Sequence, residues 1–152
     1  MELIDYLKKR EIYFEIKDDG QISVVGYLDL RGTNITELPD NLKVGGYLFL
    51  GGTGITKLPD NLKVGGSLFL DVKKVKNISY KENCGSKSRT IFAAWVNGKI
   101  CIGAGCFLDY LDMFFNAVDK SYTGEAAERY KKDAQECYDR LLEARTEEAA
   151  AA

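Results

Sequence analysis

The apolar residues of the central stretch recur every twenty positions. Val24 to Lys43 and Val44 to Lys63 agree at fifteen of twenty positions, and a third copy starts at Val64-Gly-Gly-Ser-Leu-Phe-Leu70 before decaying past Asp71. A fixed period of this length marks a stack of similar coils, a solenoid, in which each coil covers the apolar face of its neighbour. In each copy an L-x-L pair (Leu28/Leu30, Leu48/Leu50, Leu68/Leu70) alternates with polar or aromatic residues. That alternation predicts one short strand per coil, with successive strands stacked in parallel at ~4.8 Å. Ile35/Ile55, Leu38/Leu58, Leu42/Leu62 and Val44/Val64 are expected to complete the core. Gly26, Gly46 and Gly66 open the strands and Gly32 and Gly52 close them, as expected where the backbone turns with positive φ or passes close to a neighbour. Pro39 and Pro59 keep the Leu-Pro-Asp-Asn corner out of helix. The Thr33 and Thr53 hydroxyls are placed to tie down loop backbone groups.

The flanks change the period. Leu3, Ile4 and Leu7 define one face of a short helix over Glu2 to Arg10. Ile12, Phe14 and Ile16 alternate with Tyr13 and Glu15, which predicts a strand over 11–17 with those three inward. Asp18-Asp-Gly20 turns the chain into a second strand from Gln21. Residues 1–23 thus form a helix–hairpin cap on a repeat region spanning 24–80. Behind it, Asn83 to Ser88 reads as a loop, and Thr90–Val96, Asn97-Gly98 and Lys99–Gly103 as a hairpin. Phe107 to Lys120 is predicted as a helix with Phe107, Leu108, Leu111, Phe114, Phe115 and Val118 on a wide apolar face. After Thr123-Gly124 a last helix runs from Glu125 to Arg145. Residues 81–148 therefore form a ββαα rear cap, and 149–152 read as a frayed tail or cloning remnant. The expected fold class is α+β, a short parallel β solenoid capped at both ends.

The pattern L-x-L-x-x-T-x-I-x-x-L-P-x-x-L over residues 22–70 resembles the short, roughly twenty-residue leucine-rich repeats of bacterial proteins. Its particular form, Gly-Thr-x-Ile-Thr-x-Leu-Pro-Asp-Asn-Leu-x-Val-Gly-Gly, is similar to repeat proteins encoded by phages and prophages. The C-terminal part resembles units attached to some phage proteins. The resemblance implies a non-enzymatic binding scaffold. It further implies an accessory protein in the cytoplasm of a bacterial host, one that binds or inhibits a host protein. Defence proteins, CRISPR effectors included, are one such class by analogy.

Composition narrows the chemistry. The chain has 152 residues and a net charge of −2. Residues 1–80 carry eleven basic and eleven acidic side chains, and 81–152 ten and twelve. Neither half carries a field that draws nucleic acid or an anionic membrane. No apolar run reaches the ~18–20 residues needed to span a bilayer, and the N-terminus does not read as a signal peptide. There is no histidine. That excludes Ser-His-Asp and Cys-His catalysis and His-based zinc sites. Cys84, Cys101, Cys106 and Cys137 form no C-x-x-C pair, so reduced structural thiols are expected, with no metal and no cofactor.

Three candidate sites follow. If the leucine pairs point inward, the outer side of the repeat strands presents Tyr27, Asp29 and Arg31, then Tyr47 and Phe49, then Ser67, Phe69 and Asp71. This face is the expected protein-binding surface. Cover by the C-terminal helices and pairing of two copies into a homodimer are the alternatives. The basic segment Lys73, Lys74, Lys76, Lys81, Lys87 and Arg89 is the second candidate, for phosphate or an acidic partner, with a solvated loop as the plainer reading. The third is the Gly103–Phe107 loop. Gly-x-Gly between strand and helix suits an anion at a helix start, with Cys106 as nucleophile, which would make a nucleotide binder or Cys-based enzyme. Buried structural thiols are the plainer reading there. Asp109 and Asp112 fall near that predicted helix start and favour its dipole.

Overall fold

The computed structural model describes residues 2–85 and 87–151. It is an α+β structure that divides into two compact units, residues 2–77 with 95–98, and 78–94 with 99–151.

In the first unit, helix α1 (Leu3–Lys9) is followed by β1 (Glu15–Ile16) and β2 (Ile22–Val24). Each twenty-residue block then adds one strand to each of two ladders. The first ladder holds β2, β4 (Leu42–Val44) and β6 (Lys63–Val64), and the second holds β3 (Leu28–Asp29), β5 (Leu48–Phe49) and β7 (Leu68–Phe69). Both run parallel, with partners twenty residues apart: Val24 faces Val44, Leu28 faces Leu48, and Phe49 faces Phe69. β1 joins β2 antiparallel, so the first sheet is mixed. Leu28, Leu48 and Leu68 are buried between the ladders with Ile35, Ile55, Leu42 and Leu62. The third repeat block is looser, since Leu70 is only half-buried. Thr33 and Thr53 each donate a hydroxyl hydrogen bond to the carbonyl three residues back, at 2.7 Å in both cases. This repeats one tie in two coils.

Asn97 closes the open end of the first ladder at β6, and Asn77 ties down the connecting segment at Leu58. The Asn97 side chain accepts from Val64 N–H at 2.9 Å and donates to the Val64 carbonyl at 3.1 Å. Asn77 does the same to Leu58, at 2.9 and 2.8 Å. At Val64 the side-chain amide thereby stands where the peptide of a further strand would be, which satisfies edge groups that otherwise invite pairing. Asn97→Ala removes two such bonds and places Ala at φ 59. At ~1 kcal/mol per bond, it is expected to lower the unfolding free energy by about 2 kcal/mol in urea titrations.

Several expectations need correction in this unit. The strand placed over 11–17 is confined to Glu15–Ile16, and Ile16 is 59% exposed. Glu11 takes φ 55 and Ile12 N–H bonds back to the Leu7 carbonyl at 2.9 Å, so the helix end uses residues meant for the strand. On α1 the buried set is Leu3, Tyr6 and Leu7, with Tyr6 where Ile4 was expected. The Tyr6 hydroxyl reaches the Asp29 carbonyl at 2.9 Å.

The second unit is an antiparallel sheet, β8 (Ser79–Cys84), β9 (Arg89–Val96), β10 (Lys99–Ala104) and β11 (Phe107–Tyr110), with helices α2 (Leu111–Ser121) and α3 (Gly124–Ala151). The β9–β10 turn is Asn97-Gly98, both at positive φ, as the hairpin signal predicts. The ββαα expectation is corrected to four strands and two helices. Residues 107–110 pair with β10 instead of opening the helix, because Gly105 at φ 55 reverses the chain so that Ala104 faces Phe107. Asp109 consequently lies in β11, and only Asp112 stands in the first turn of α2. α3 continues through the alanines to Ala151 instead of fraying after 148. Within this unit Ser79 Oγ donates to the Cys137 carbonyl, tying β8 to α3.

Candidate interaction surface

The outward side of the β3–β5–β7 ladder carries the predicted residues in unequal ways. The in-register pairing of Phe49 with Phe69 stacks their rings, with centroids 4.9 Å apart and planes at 7°. Tyr47 meets both rings edge-on, at 6.2 and 6.1 Å. The Arg31 guanidinium lies over Phe49 at 4.6 Å from its centroid. Asp29 holds it there: Arg31 Nε donates to Asp29 Oδ1 at 2.9 Å and Nη2 to Oδ2 at 2.7 Å. These bonds keep the Asp29 carboxyl below its ordinary pKa of 3.8. The result is a column running guanidinium, phenyl, phenyl along the ladder, oriented from below by a carboxylate. Stacked aromatics and an exposed cation–π contact contribute roughly 0.5–1.5 and 0.5–1 kcal/mol. Parallel pairing at twenty-residue register is what brings the column together.

Tyr27 is 68% and Tyr47 45% exposed, while Phe49 and Phe69 are half-buried. The Tyr47 ring lies across the next repeat block, where a Cβ on Gly66 would meet it at 2.4 Å. Gly66 is therefore required by the Tyr47 ring and by the Gly46 backbone carbon, 2.8 Å from that Cβ, without a positive φ. Of the predicted members Ser67 leaves the surface, whereas Asp71 stays partly exposed but is engaged in a turn. Ser67 is 2% exposed and occupies in the third repeat block the column held by Tyr27 and Tyr47. Asp71 spends Oδ2 on the Gly52 N–H at 3.1 Å, with Lys74 at 3.6 Å, and so anchors a turn. The Arg31–Phe49 contact was not legible from spacing, because it depends on the bend that Asp29 imposes on Arg31.

The basic segment is not one patch. Lys81 belongs to β8 and is held by Asp133 and Glu136, each at 2.8 Å. Hydrogen bonds to Asp133 first, then to Glu136, raise its pKa above 10.5. Lys74 pairs with Asp71.

The Gly103–Phe107 loop loses its geometric premise. Gly103 pairs with Leu108 inside the β10–β11 ladder, and a Cβ on it would strike the Phe92 ring at 2.1 Å. Close ring packing, and no anion cradle, accounts for this glycine. Cys106 sits in the hairpin turn, away from a helix start, and is exposed where burial was expected. Cys84, Cys101 and Cys137 are buried, and burial pushes each thiol pKa up to about 11. At pH 8 a thiol of that pKa is about 0.1% thiolate. Iodoacetamide on the native protein at pH 8 is therefore expected to label Cys106 alone, and all four cysteines in denaturant, as read by intact mass.

Among the described residues no group of three or more His, Cys, Asp or Glu is placed to hold a metal ion. No helix among them is long and apolar enough to cross a membrane. No protein-family model matches this chain, and neither a curated protein nor a solved structure matches it.

Proposed function

We propose that residues 22–77 form a short leucine-rich-repeat-like solenoid and that the protein is a non-enzymatic binding module. It engages another protein through Tyr27, Arg31, Tyr47, Phe49 and Phe69. The observation that carries this reading is the Arg31–Phe49–Phe69 column with Tyr47 on its edge. Aromatic and arginine side chains held rigid by their neighbours lose little entropy on binding, and these residue types dominate interface hot spots. The solenoid reading rests on the two parallel ladders of twenty-residue register. The partner is a host protein in the bacterial cytoplasm, by the sequence resemblance.

The test is affinity capture from bacterial lysate with wild type and with the Phe49→Ser/Phe69→Ser variant. The variant is first shown to keep the native circular dichroism spectrum. A host protein held by wild type and reduced at least about tenfold on the variant is expected, since hot-spot truncation costs ~2 kcal/mol or more. Equal capture by both proteins would remove the surface from the reading. Wild type that retains only itself would assign the column to a homodimer.

A further inference from the structure

The second unit contains a cavity of about 190 Å³ bounded by β9–β11, α2 and α3. Its walls are aromatic on two sides: Phe107 meets Phe114 edge-on at 5.4 Å, and Tyr122 lies 4.8 Å from Tyr130. Its polar equipment is lopsided. Arg89 stands at the exposed rim, and among the described residues its guanidinium makes no ion pair. No described carboxylate lines the cavity. Tyr130 is 4% exposed; among the described residues its hydroxyl makes no hydrogen bond of good geometry, and burial together with the neighbouring Tyr122 hydroxyl raises its pKa.

These features select a ligand class. An apolar cavity of ~150 Å³ holds a benzene-sized molecule, so this one holds one ring with a short arm. Drug-sized or nucleotide ligands need roughly 300 Å³ or more. Flat apolar walls favour an aromatic body. A rim with one guanidinium and no carboxylate favours an anion, and the guanidinium edge matches a carboxylate through two parallel hydrogen bonds. We propose that this cavity binds a small aromatic monocarboxylate, its ring between Phe107, Phe114 and Tyr122 and its carboxylate on Arg89. The site lies wholly within the second unit and is independent of the aromatic column of the first.

The test is a ¹H–¹⁵N NMR titration of the full chain with phenylacetate, with phenylacetamide and inorganic phosphate as controls. Saturable shifts at Ala104, Phe107, Phe114 and Ala117 are expected with phenylacetate. Phenylacetamide should bind about tenfold more weakly, because it lacks the charge-assisted bond. Arg89→Gln is expected to weaken phenylacetate about tenfold and to leave phenylacetamide unchanged. Ala117→Leu fills the cavity and should abolish binding of both, with the rest of the spectrum native. No saturable shift at millimolar phenylacetate would overturn the proposal. So would phosphate competing as well as phenylacetate, or an Arg89→Gln variant that binds as wild type does.

Discussion

Gly45→Ala is expected to lower the unfolding free energy by at least about 4 kcal/mol, in the range that only severe core or backbone conflicts reach. Gly26→Ala, at a repeat position one column away, is expected to change it by less than about 1 kcal/mol. A Cβ on Gly45 would lie 2.2 Å from the Val25 carbonyl oxygen and 3.1 Å from its carbon. Neither can retreat, because Gly45 N–H donates to the Val24 carbonyl at 2.8 Å and Gly46 N–H to the Gly26 carbonyl at 3.0 Å. Gly65 repeats the conflict against Gly45 at 2.3 Å. A Cβ on Gly26 meets nothing within 4 Å. Glycine is demanded at the entry to a repeat block only where the preceding block's backbone lies against it. The chain carries its own control: the first coil has Val25 in the column of Gly45 and Gly65, and Val25 is 70% exposed. Urea denaturation of the two variants, compared at constant m-value, measures the difference.

Leu48→Ala is expected to cost about 3–4 kcal/mol, as for other leucines truncated in packed cores. Leu48 is fully buried and sits in the middle strand of its ladder, between Leu28 and Leu68. Its N–H donates to the Ser67 carbonyl at 2.9 Å, so both flanking strands hold it in place and the site cannot collapse around the smaller side chain. A native domain is stable by only ~5–15 kcal/mol. The loss should therefore move the urea midpoint markedly while leaving the Cys106 labelling of the native protein unchanged.

The repeat was legible because the same position is written more than once. Leu28, Leu48 and Leu68 report one environment three times, and the alternate positions report the outer face just as often. What broke the reading was what occurs once. Phe107–Tyr110 is short and apolar enough to extend a helix pattern, and only the backbone reversal at Gly105 makes it a strand. Ile16 follows an alternation whose register is lost when the end of α1 consumes Glu11 and Ile12. Ser67 lies in an outward column by spacing but is buried, since the third repeat block does not reproduce the surroundings of the first two. On the surface itself, the column of Tyr47, Phe49 and Phe69 follows from period two and register twenty. The guanidinium above it depends on a single salt bridge that spacing does not encode.

The most direct measurement of the recognition role is site-specific photo-crosslinking in living bacterial cells. A benzophenone amino acid is placed at Tyr47, on the aromatic column, or at Lys43, exposed on the other ladder. A binding surface at the column predicts a light-dependent covalent adduct with a second protein from position 47 and none from position 43. No adduct from position 47, or adducts that consist only of two copies of this chain, would contradict it.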